Sequence, residues 1–388
     1  MQTLNTVPSI GAWQHGQRPQ MRAVPAVGIG GGAAARAARC HCRCAAGQAA
    51  CSSSSSTMVD DQAELAATPS SSSSSSDGGG SSAMRRDPVD KARHVRPPGW
   101  VAPGPPPVGP QGDPDLAPRP GETLAFLSGD WRIFQLTNGH RWSLDDHVTA
   151  VVALQEARAA PPPGVTHYLD LGCGIGSVLM MVAWGLPDAK AVGVEAQEIS
   201  VGLARRSVRY NAGAASGRVS VHRGDLRDPL PPGAAPPGGF DLITGTPPYI
   251  PRGDGGVGLR PQKEPCNLET RGGVEEYVAA AAAALAPGGS FVVVMGVQGQ
   301  RRRDRVAAAA AAHGLAVSRC VEVVPREGKP ALMHVYVLRW RQDCGGGGGS
   351  GEPQGCTHER FVVRLADGRL GPDMHAARAA IGMPPAKG

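Results

Sequence analysis

"THYLDLGCGIGS", residues 166–177, holds the change of pattern from which the rest of the chain can be interpreted. A short apolar run ends at Gly172, and glycines recur at Gly174 and Gly176. From Ser177 onward, apolar residues return with helical spacing. A strand that passes through a glycine-rich turn into a helix is typical of nucleotide-binding α/β sheets, because the turn lets backbone approach a ligand and the helix N–H groups face it.

Strand and helix patterns alternate after this turn. Five strands are predicted at 166–172, 191–196, 218–225, 240–245 and 290–296, and helices at 177–185, 198–211, 274–285 and 301–313. Such alternation implies right-handed crossovers and a parallel sheet. Two further strands, 316–325 and 331–340, have no helix between them and predict a hairpin. The predicted fold class is α/β: a doubly wound, mostly parallel seven-stranded sheet with a terminal antiparallel hairpin, Rossmann-like.

Composition divides the chain into segments. Gly 54 and Pro 36 are concentrated in runs that cannot form a core. The segments predicted from composition and pattern are a disordered transit peptide at 1–59, a disordered Ser/Pro/Gly-rich linker at 60–120, an N-terminal extension over the ligand edge at 121–160, the core at 161–340 and a Gly-rich linker at 341–358. Within the extension, Thr137-Asn138-Gly139 is a hairpin signal, and Ser143 or Asp145 is a candidate helix N-cap.

The charge and cysteine patterns limit the function classes. Residues 1–59 contain five arginines and no acidic residue, so without them the formal charge falls from +6 to +1, which excludes a basic nucleic-acid surface over the whole domain. This leader has the composition of an organelle transit peptide, and we expect a chloroplast location over a mitochondrial one. No long apolar run predicts a membrane span. The cysteines of "CHCRC" (40–44) are spaced too tightly for a zinc knuckle, so we expect no metal.

Two acidic residues end neighbouring strands. Glu195 closes the second strand, 23 residues after Gly172, where a carboxylate would accept hydrogen bonds from both ribose hydroxyls. Asp225 closes the third strand, next to the expected place of an adenine amine. A dehydrogenase that binds a dinucleotide is the competing interpretation, but it expects Gly or Ala at Ser177 and leaves the next motif unexplained.

"DLITGTPPYI", residues 241–250, runs from a buried strand into Thr246-Pro247-Pro248-Tyr249. Prolines do not continue a central strand, because they donate no hydrogen bond to the ladder. Two prolines instead fix the backbone and hold the Pro247 carbonyl in place as an acceptor. The Tyr249 ring would stack on a planar substrate, which is worth about 1–3 kcal/mol for a nucleobase.

Together these motifs resemble the class I S-adenosylmethionine-dependent methyltransferases of the small-domain type, above all the bacterial tRNA adenine-N(6) methyltransferases that modify a valine tRNA. Three further segments are similar to motifs of that family: "SLDDHVTA" (143–150), "PQKEPCNLE" (261–269) and "RFVVRLADGRLGPDMHAARAA" (360–380). The last one implies that residues 359–388 form a strand and helix docked on the core. The resemblance also implies an RNA partner, a monomer, and no membrane or metal.

The resemblance assigns roles to individual residues. It implies S-adenosylmethionine as cofactor, held by Asp170, Gly172, Gly174, Gly176, Glu195, Ala196, Asp225, Leu226 and Thr246. It implies catalysis by Thr246, Pro247 and Tyr249, and substrate binding by Pro248, Tyr249, Lys263 and Glu264. The acceptors at 246 and 247 would hold an aromatic exocyclic amine so that its lone pair turns toward the methyl group.

One departure leaves the substrate open. The family carries Asn where this chain has Thr246, and a hydroxyl is shorter than an amide and also donates. Methylation of an RNA base amine is therefore the leading hypothesis, and an amide nitrogen, as in glutamine methylation of release factors, or a small aromatic metabolite are rivals. A hypothesis of another class is a catalytically silent RNA-binding module with the same fold. Turnover with RNA would separate these classes.

Overall fold

The structure is a computed structural model and describes residues 96–213, 217–251, 261–297, 301–344 and 356–386, with the side chains of 301–304 left out. The predicted transit peptide and the glycine run at 345–349 lie outside the described residues. Within the described ranges, none of the helices combines the length and apolarity that a bilayer span requires.

Ten strands and seven helices are found in the described residues. The strands are β1 (Glu122–Phe126), β2 (Arg132–Leu136), β3 (His167–Leu171), β4 (Lys190–Glu195), β5 (Val219–Arg223), β6 (Phe240–Gly245), β7 (Leu285–Gly296), β8 (Leu315–Val324), β9 (Met333–Trp340) and β10 (Thr357–Val362). The helices are α1 (Leu144–Ala159), α2 (Ser177–Gly185), α3 (Glu198–Ala212), α4 (Glu264–Asn267), α5 (Val274–Ala284), α6 (Arg301–Ala312) and α7 (Pro372–Ala380).

The main sheet has eight strands in the order β10-β8-β9-β7-β6-β3-β4-β5. Its α/β class, its parallel centre and its antiparallel β9 agree with the prediction, so the doubly wound, Rossmann-like fold is confirmed. The predicted count of seven strands was wrong. The eighth strand is β10, which pairs in parallel with the outer edge of β8. Its own sequence is mostly exposed and therefore lacks the apolar run by which the other strands were recognised.

Two apolar layers cover the faces of the sheet. On one face, buried residues of α1, α2 and α3 pack against Tyr168, Leu242 and Val292. On the other face, α5 and α6 pack against Leu171 and Ile243 among others. Strands that are buried on both faces read as continuous apolar runs, and this is why the central strands could be found from sequence. The carboxyl ends of β3, β4 and β6 meet at one edge between these layers.

The N-terminal extension lies in a different place from the one predicted. β1 and β2 form an antiparallel hairpin whose turn is at residues 127–131, whereas Thr137-Asn138-Gly139 follows β2. The hairpin packs on α3, where the Phe134 N–H donates to the Ser207 hydroxyl at 2.9 Å. The Thr137-Asn138-Gly139 signal was misleading because a glycine after a strand can belong to the loop that leaves the strand as well as to a hairpin turn. The loop between β2 and α1 reaches the ligand edge through His140, and the first turn of α1 reaches it through Asp146.

The stretch 96–120, expected to be part of a disordered linker, is bound to α3. The Arg206 guanidinium donates to the carbonyls of Asp115 and Ala117 at 2.7 and 2.8 Å and to the Glu122 carboxylate at 2.7 Å. The backbone N–H of Val108 donates to the Asn211 carbonyl. Prolines have no N–H to donate, so the segment is held both by carbonyls that accept from Arg206 and by the N–H groups of Val108 and Gly109.

The C-terminal segment returns to the sheet. The backbone N–H of Val362 donates to the Asp373 carboxylate at 2.8 Å, which ties β10 to the start of α7. Across the sheet, Arg319 of β8 pairs with Glu359 of β10 and with Glu156 of α1. The Met374 and Ala377 side chains of α7 are buried in the layer formed by the first three helices.

Candidate cofactor and acceptor site

The glycine turn and the double-proline corner start from adjacent strands at the same level. Leu171, the last residue of β3, pairs with Gly245, the last residue of β6. Neighbouring strands lie about 4.8 Å apart, so Gly172 and Thr246 begin side by side. Two features that are 74 residues apart in sequence therefore share one crevice.

The three positions of the turn require glycine for partly different structural reasons. All have positive φ, at 60° for Gly172, 53° for Gly174 and 88° for Gly176, a region that other residues rarely adopt. A Cβ on Gly172 would overlap the hydroxyl of Tyr277. A Cβ on Gly174 would meet no atom within 4 Å, so open space lies beside this residue. Gly174 is thus the glycine that leaves room for a ligand.

Glu195 holds the turn in shape. Its carboxylate accepts from the Gly174 N–H at 2.9 Å and from the Gln197 N–H at 2.6 Å. Burial raises its pKa, and the hydrogen bonds from Gln197 and Gly174 oppose that shift. Ala196, predicted to contact the cofactor, lies next to it and is half-buried. Glu195 therefore sits at the turn as predicted, although two backbone donors already occupy its oxygens.

Asp225 and Leu226 follow β5 at the same edge. The Asp225 carboxylate accepts from the Arg227 guanidinium at 2.8 and 2.6 Å, and this side-chain hydrogen bond lowers its pKa. Leu226 is half-buried and packs against the α5 and α6 layer. Arg271, exposed before α5, also lowers the pKa of both Asp225 and Glu195. The two acids thus face one region, with a cation over it that sequence reasoning did not single out.

Asp170 lies beneath the turn, where it is 2 % exposed. Its Oδ1 accepts from the Thr244 hydroxyl at 2.6 Å, whereas its buried Oδ2 has no hydrogen-bond partner among the described residues. Burial raises the pKa of Asp170 to about 7. A buried carboxylate oxygen without a donor is a place where a ligand ammonium fits.

Asp146 is a second buried carboxyl near this point. It accepts from the Ser143 N–H at 2.9 Å in the capping box of α1. Burial and the neighbouring acids Asp145 and Asp170 raise its pKa well above the ordinary value. Ser143, one of the two predicted N-caps, is the one observed. The depth of Asp146 was not predictable, because the capping pattern is normally found at a helix surface.

The double-proline corner is held by packing. Pro247 and Pro248 are buried, and Thr246 and Tyr249 are half-buried. The Tyr249 ring lies against Gly296 at the end of β7, where a Cβ would approach it to 2.7 Å. Within the described residues the Thr246 hydroxyl takes part in no observed hydrogen bond, so it remains available at the crevice.

The segment after the corner contains Lys263 and Glu264, whose substrate contacts stay a prediction. Lys263 is exposed, and Glu264 begins the short helix α4. Gln262 directly precedes Lys263 and is 5 % exposed. Sequence reasoning missed this residue. Its side chain accepts from the His140 N–H at 2.5 Å and donates to the Ser200 hydroxyl at 3.1 Å. Gln262 therefore ties this segment to the loop before α1 and to the start of α3.

These residues fit S-adenosylmethionine. The unpartnered Asp170 oxygen suits the ammonium of the cofactor, and the open space at Gly174 leaves room for the part of the cofactor that passes close to the backbone of the turn. Glu195 and Asp225 lie where the ribose and adenine groups are expected. The described part of the chain contains no group of three or more His, Cys, Asp or Glu side chains placed to hold a metal.

Comparison with known families agrees with this geometry. Residues 153–258 match the model of the methyltransferase small domain, and this range includes the glycine turn, both acids and the double-proline corner. Over this range the chain is similar to the methyltransferase small domain, which agrees with a site for S-adenosylmethionine. The strand order reverses beside β3, and open α/β sheets generally bind their ligands at such a point.

The chain has curated relatives that are named as glutamine methyltransferases of release factors or of a ribosomal protein. It is 37 % identical over 108 residues to the release factor glutamine methyltransferase of Geobacter sulfurreducens, covering 28 % of this chain and 34 % of that protein. It is 32 % identical over 145 residues to the enzyme of the same name from Bordetella pertussis, covering 34 % and 47 %. It is 31 % identical over 118 residues to a ribosomal protein uL3 glutamine methyltransferase of Bradyrhizobium diazoefficiens, covering 29 % and 34 %. The chain thus spans less than half the length of each of these relatives.

Solved structures with a similar fold include a predicted O-methyltransferase from Agrobacterium tumefaciens, with a TM-score of 0.43, 20 % identity and coverage of 63 % of this chain and 99 % of that one. A TehB-like SAM-dependent methyltransferase from Corynebacterium glutamicum has a TM-score of 0.32, 18 % identity and coverage of 50 % and 87 %.

Proposed function

We propose that the protein transfers a methyl group from S-adenosylmethionine to the side-chain amide nitrogen of a glutamine in a protein of the release factor type. The observation that carries the proposal is the pairing of Leu171 with Gly245, which sets the acceptor corner beside the cofactor turn. The names of the curated relatives support glutamine as the acceptor. They favour it over the RNA base that the sequence suggested first.

The chemistry explains why such a corner suits an amide. An amide nitrogen is a poor nucleophile because its lone pair is delocalised into the carbonyl. The Pro247 carbonyl and the Thr246 hydroxyl would each accept one N–H of the carboxamide, which turns the lone pair out of the amide plane. When bound, the cofactor would supply an electrophilic methyl group on a cationic sulfur. As the N–CH3 bond forms, the S–CH3 bond would break, neutral S-adenosylhomocysteine would leave, and the amide nitrogen would lose one proton to solvent. The protein contributes position and charge, and its buried prolines keep the acceptor from moving.

Tyr249 would confine the flat carboxamide. Its ring has one side against Gly296 and is half-buried, so part of it borders the crevice. A planar amide stacked on that surface presents its nitrogen to the corner. The same surface would accept a base, and a base amine in structured RNA is the second candidate because residues 359–388 form the strand and helix that the tRNA-modifying family implied.

A direct experiment separates the two substrates. Purified full-length protein is incubated with S-adenosylmethionine and, in parallel, with a recombinant release factor or with total tRNA, and each product is analysed by mass spectrometry. We expect the mass of one methyl group on a release factor glutamine, and none when that glutamine is replaced by Ala. Methylated nucleosides with unmodified protein would instead establish the RNA candidate. Tight binding of cofactor with no product from either would support the silent module.

We also propose an organellar site of action, chloroplast over mitochondrion, from the acid-free leader at 1–59. Fusion of residues 1–59 to a fluorescent protein tests this. Diffuse cytosolic fluorescence would contradict it.

A further inference from the structure

Tyr277 occupies the point where the cofactor turn meets the acceptor corner. It lies on α5, the helix that packs on the face of the sheet opposite α2. A Cβ on Gly172 would overlap its hydroxyl, and a Cβ on Gly245 would approach its ring to 2.7 Å. One ring therefore fills the space left by a glycine at the end of each of the two paired strands.

The hydroxyl of Tyr277 has no hydrogen-bond partner among the described residues. The residue as a whole is 8 % exposed. Burial raises the pKa of Tyr277 well above its ordinary value, and the nearby carboxyls of Glu195 and Asp170 add to the shift. The phenol is thus neutral at physiological pH and carries a proton that it can donate. A tyrosine hydroxyl in a mostly buried residue normally has an acceptor, and none is found for Tyr277 in the part of the chain that the structure describes.

The location of the Tyr277 hydroxyl indicates which half of the cofactor it would contact. Gly172 begins the turn, and Asp170, two residues before it, presents the unpartnered oxygen that suits an ammonium. Glu195 and Asp225 mark the ribose and adenine end farther along the sheet edge, on β4 and after β5. A hydroxyl beside Gly172 therefore faces the amino-acid end, whose carboxylate is an acceptor.

We propose that Tyr277 is a cofactor-binding residue whose hydroxyl donates a hydrogen bond to the amino-acid half of S-adenosylmethionine. This inference rests on the proposed function only in its choice of cofactor, and it holds for either substrate. The ring also lies under Gly245, directly before Thr246, so the same side chain sets the spacing between the bound cofactor and the acceptor corner.

Calorimetric titration of the full-length protein tests the inference. The ligands are S-adenosylhomocysteine, which has the amino-acid half, and adenosine, which lacks it. We expect Tyr277→Phe to weaken S-adenosylhomocysteine binding by about tenfold or more, as for a lost hydrogen bond to a charged group, and to leave adenosine binding and the melting temperature of the ligand-free protein unchanged. Tyr210→Phe is the matched control, since its ring packs on Phe134 near the far end of α3.

Two results would overturn the inference while the proposed function stands. One is unchanged S-adenosylhomocysteine affinity in Tyr277→Phe. The other is an equal loss for S-adenosylhomocysteine and adenosine, which would mean that the hydroxyl only supports the shape of the turn. Failure of the wild-type protein to bind S-adenosylhomocysteine at all would overturn both this inference and the proposed function.

Discussion

The Thr244 hydroxyl on β6 donates to the Asp170 carboxylate on β3 at 2.6 Å, directly beneath the glycine turn. The two residues are paired in the sheet, so their side chains emerge on the same face. The Tyr168 hydroxyl lies 2.6 Å from the same Thr244 oxygen and continues the chain of hydrogen bonds. This arrangement fixes one oxygen of Asp170 within the protein and leaves the other for a ligand.

Cofactor binding is expected to weaken as the pH falls through about 7. Burial raises the pKa of Asp170 to about 7, and only the carboxylate form attracts an ammonium. Affinity for S-adenosylhomocysteine should therefore decrease by up to about tenfold per pH unit below that value. Asp170→Asn should bind about 10- to 100-fold more weakly at pH 8 and show little change between pH 6 and 8. Calorimetry at several pH values measures both effects.

The control for that series is Asp188→Asn, an exposed acid before β4 at the opposite edge of the sheet. It should retain the wild-type pH profile. A profile that persists in Asp170→Asn would assign the titration to another group, of which Asp146 is the nearest buried candidate.

Stability of the ligand-free protein should have the opposite pH dependence. The folded protein holds protons on Asp146 and Asp170 at pH values where the unfolded chain, with an Asp pKa of about 3.9, has released them. Stability is then full below about pH 4 and is lost as the pH rises through the folded pKa of about 7 for Asp170. Asp170→Asn should melt at a higher temperature than wild type at pH 8 and at a similar temperature at pH 5. A wild-type protein that melts higher at pH 8 than at pH 5 would contradict this.

Gly174→Ala should separate folding from cofactor binding. The new methyl group meets no protein atom but enters the open space of the crevice, and the positive φ costs about 1–2 kcal/mol. We expect a folded protein without measurable S-adenosylhomocysteine binding. Gly202→Ala on α3 is the matched control, since a Cβ there also meets no atom within 4 Å and no positive φ is involved. It should bind normally and gain about 0.5–1 kcal/mol of stability.

Thr246→Val should reduce catalysis without affecting cofactor affinity. The exchange keeps the shape of the side chain and removes the acceptor, and a hydrogen bond to a group that gains charge is worth about 1.5–3 kcal/mol, or roughly 10- to 100-fold in rate. Thr246→Asn should retain activity, because an amide oxygen also accepts. Rates with release factor and S-adenosylhomocysteine affinities are measured together. Thr357→Val on β10 serves as control, and an equal rate loss there would refute the role of Thr246.

Arg206→Ala should destabilise the domain strongly. Arg206 and Glu122 form an ion pair with side-chain exposures of 9 % and 8 %, and removal of one partner leaves a buried charge. The expected loss is about 3–5 kcal/mol in denaturant unfolding. Arg223→Ala removes an exposed pair with Glu198 and should cost about 1 kcal/mol or less. Similar losses in both variants would show that residues 96–136 are not held on α3 as described.

Much of the fold was predictable because the central strands are buried on both faces. β3, β4 and β6 are continuous apolar runs, and α2 was placed correctly at both ends because Gly176 and Leu186-Pro187 bound its pattern. β10 was expected only from the family resemblance and not from its own pattern, because its edge position leaves it exposed and without periodicity. The location of residues 96–120 was not predicted, because a proline-rich composition is typical of a linker whether or not a neighbouring helix binds the segment.

The residues of the site also divide into those that sequence predicted and those that only the structure revealed. Gly172, Glu195 and the double-proline corner could be named from local patterns, since each lies at the end of a recognisable strand. Tyr277 and Gln262 carry no local signal, and Asp146 carries only the pattern of a helix cap. Each becomes part of the site only through burial next to residues that are distant in the chain.

The amino-acid sequence alone determined the α/β alternation, the identity of the turn residues and the order of the acids along the sheet edge, because these depend on periodicity and backbone preferences over a few residues. Tertiary structure alone decided that a tyrosine ring fills the space left by Gly172 and Gly245, and that one oxygen of Asp170 remains without a donor. Those facts depend on strand register and on packing between elements, which no short stretch of sequence contains.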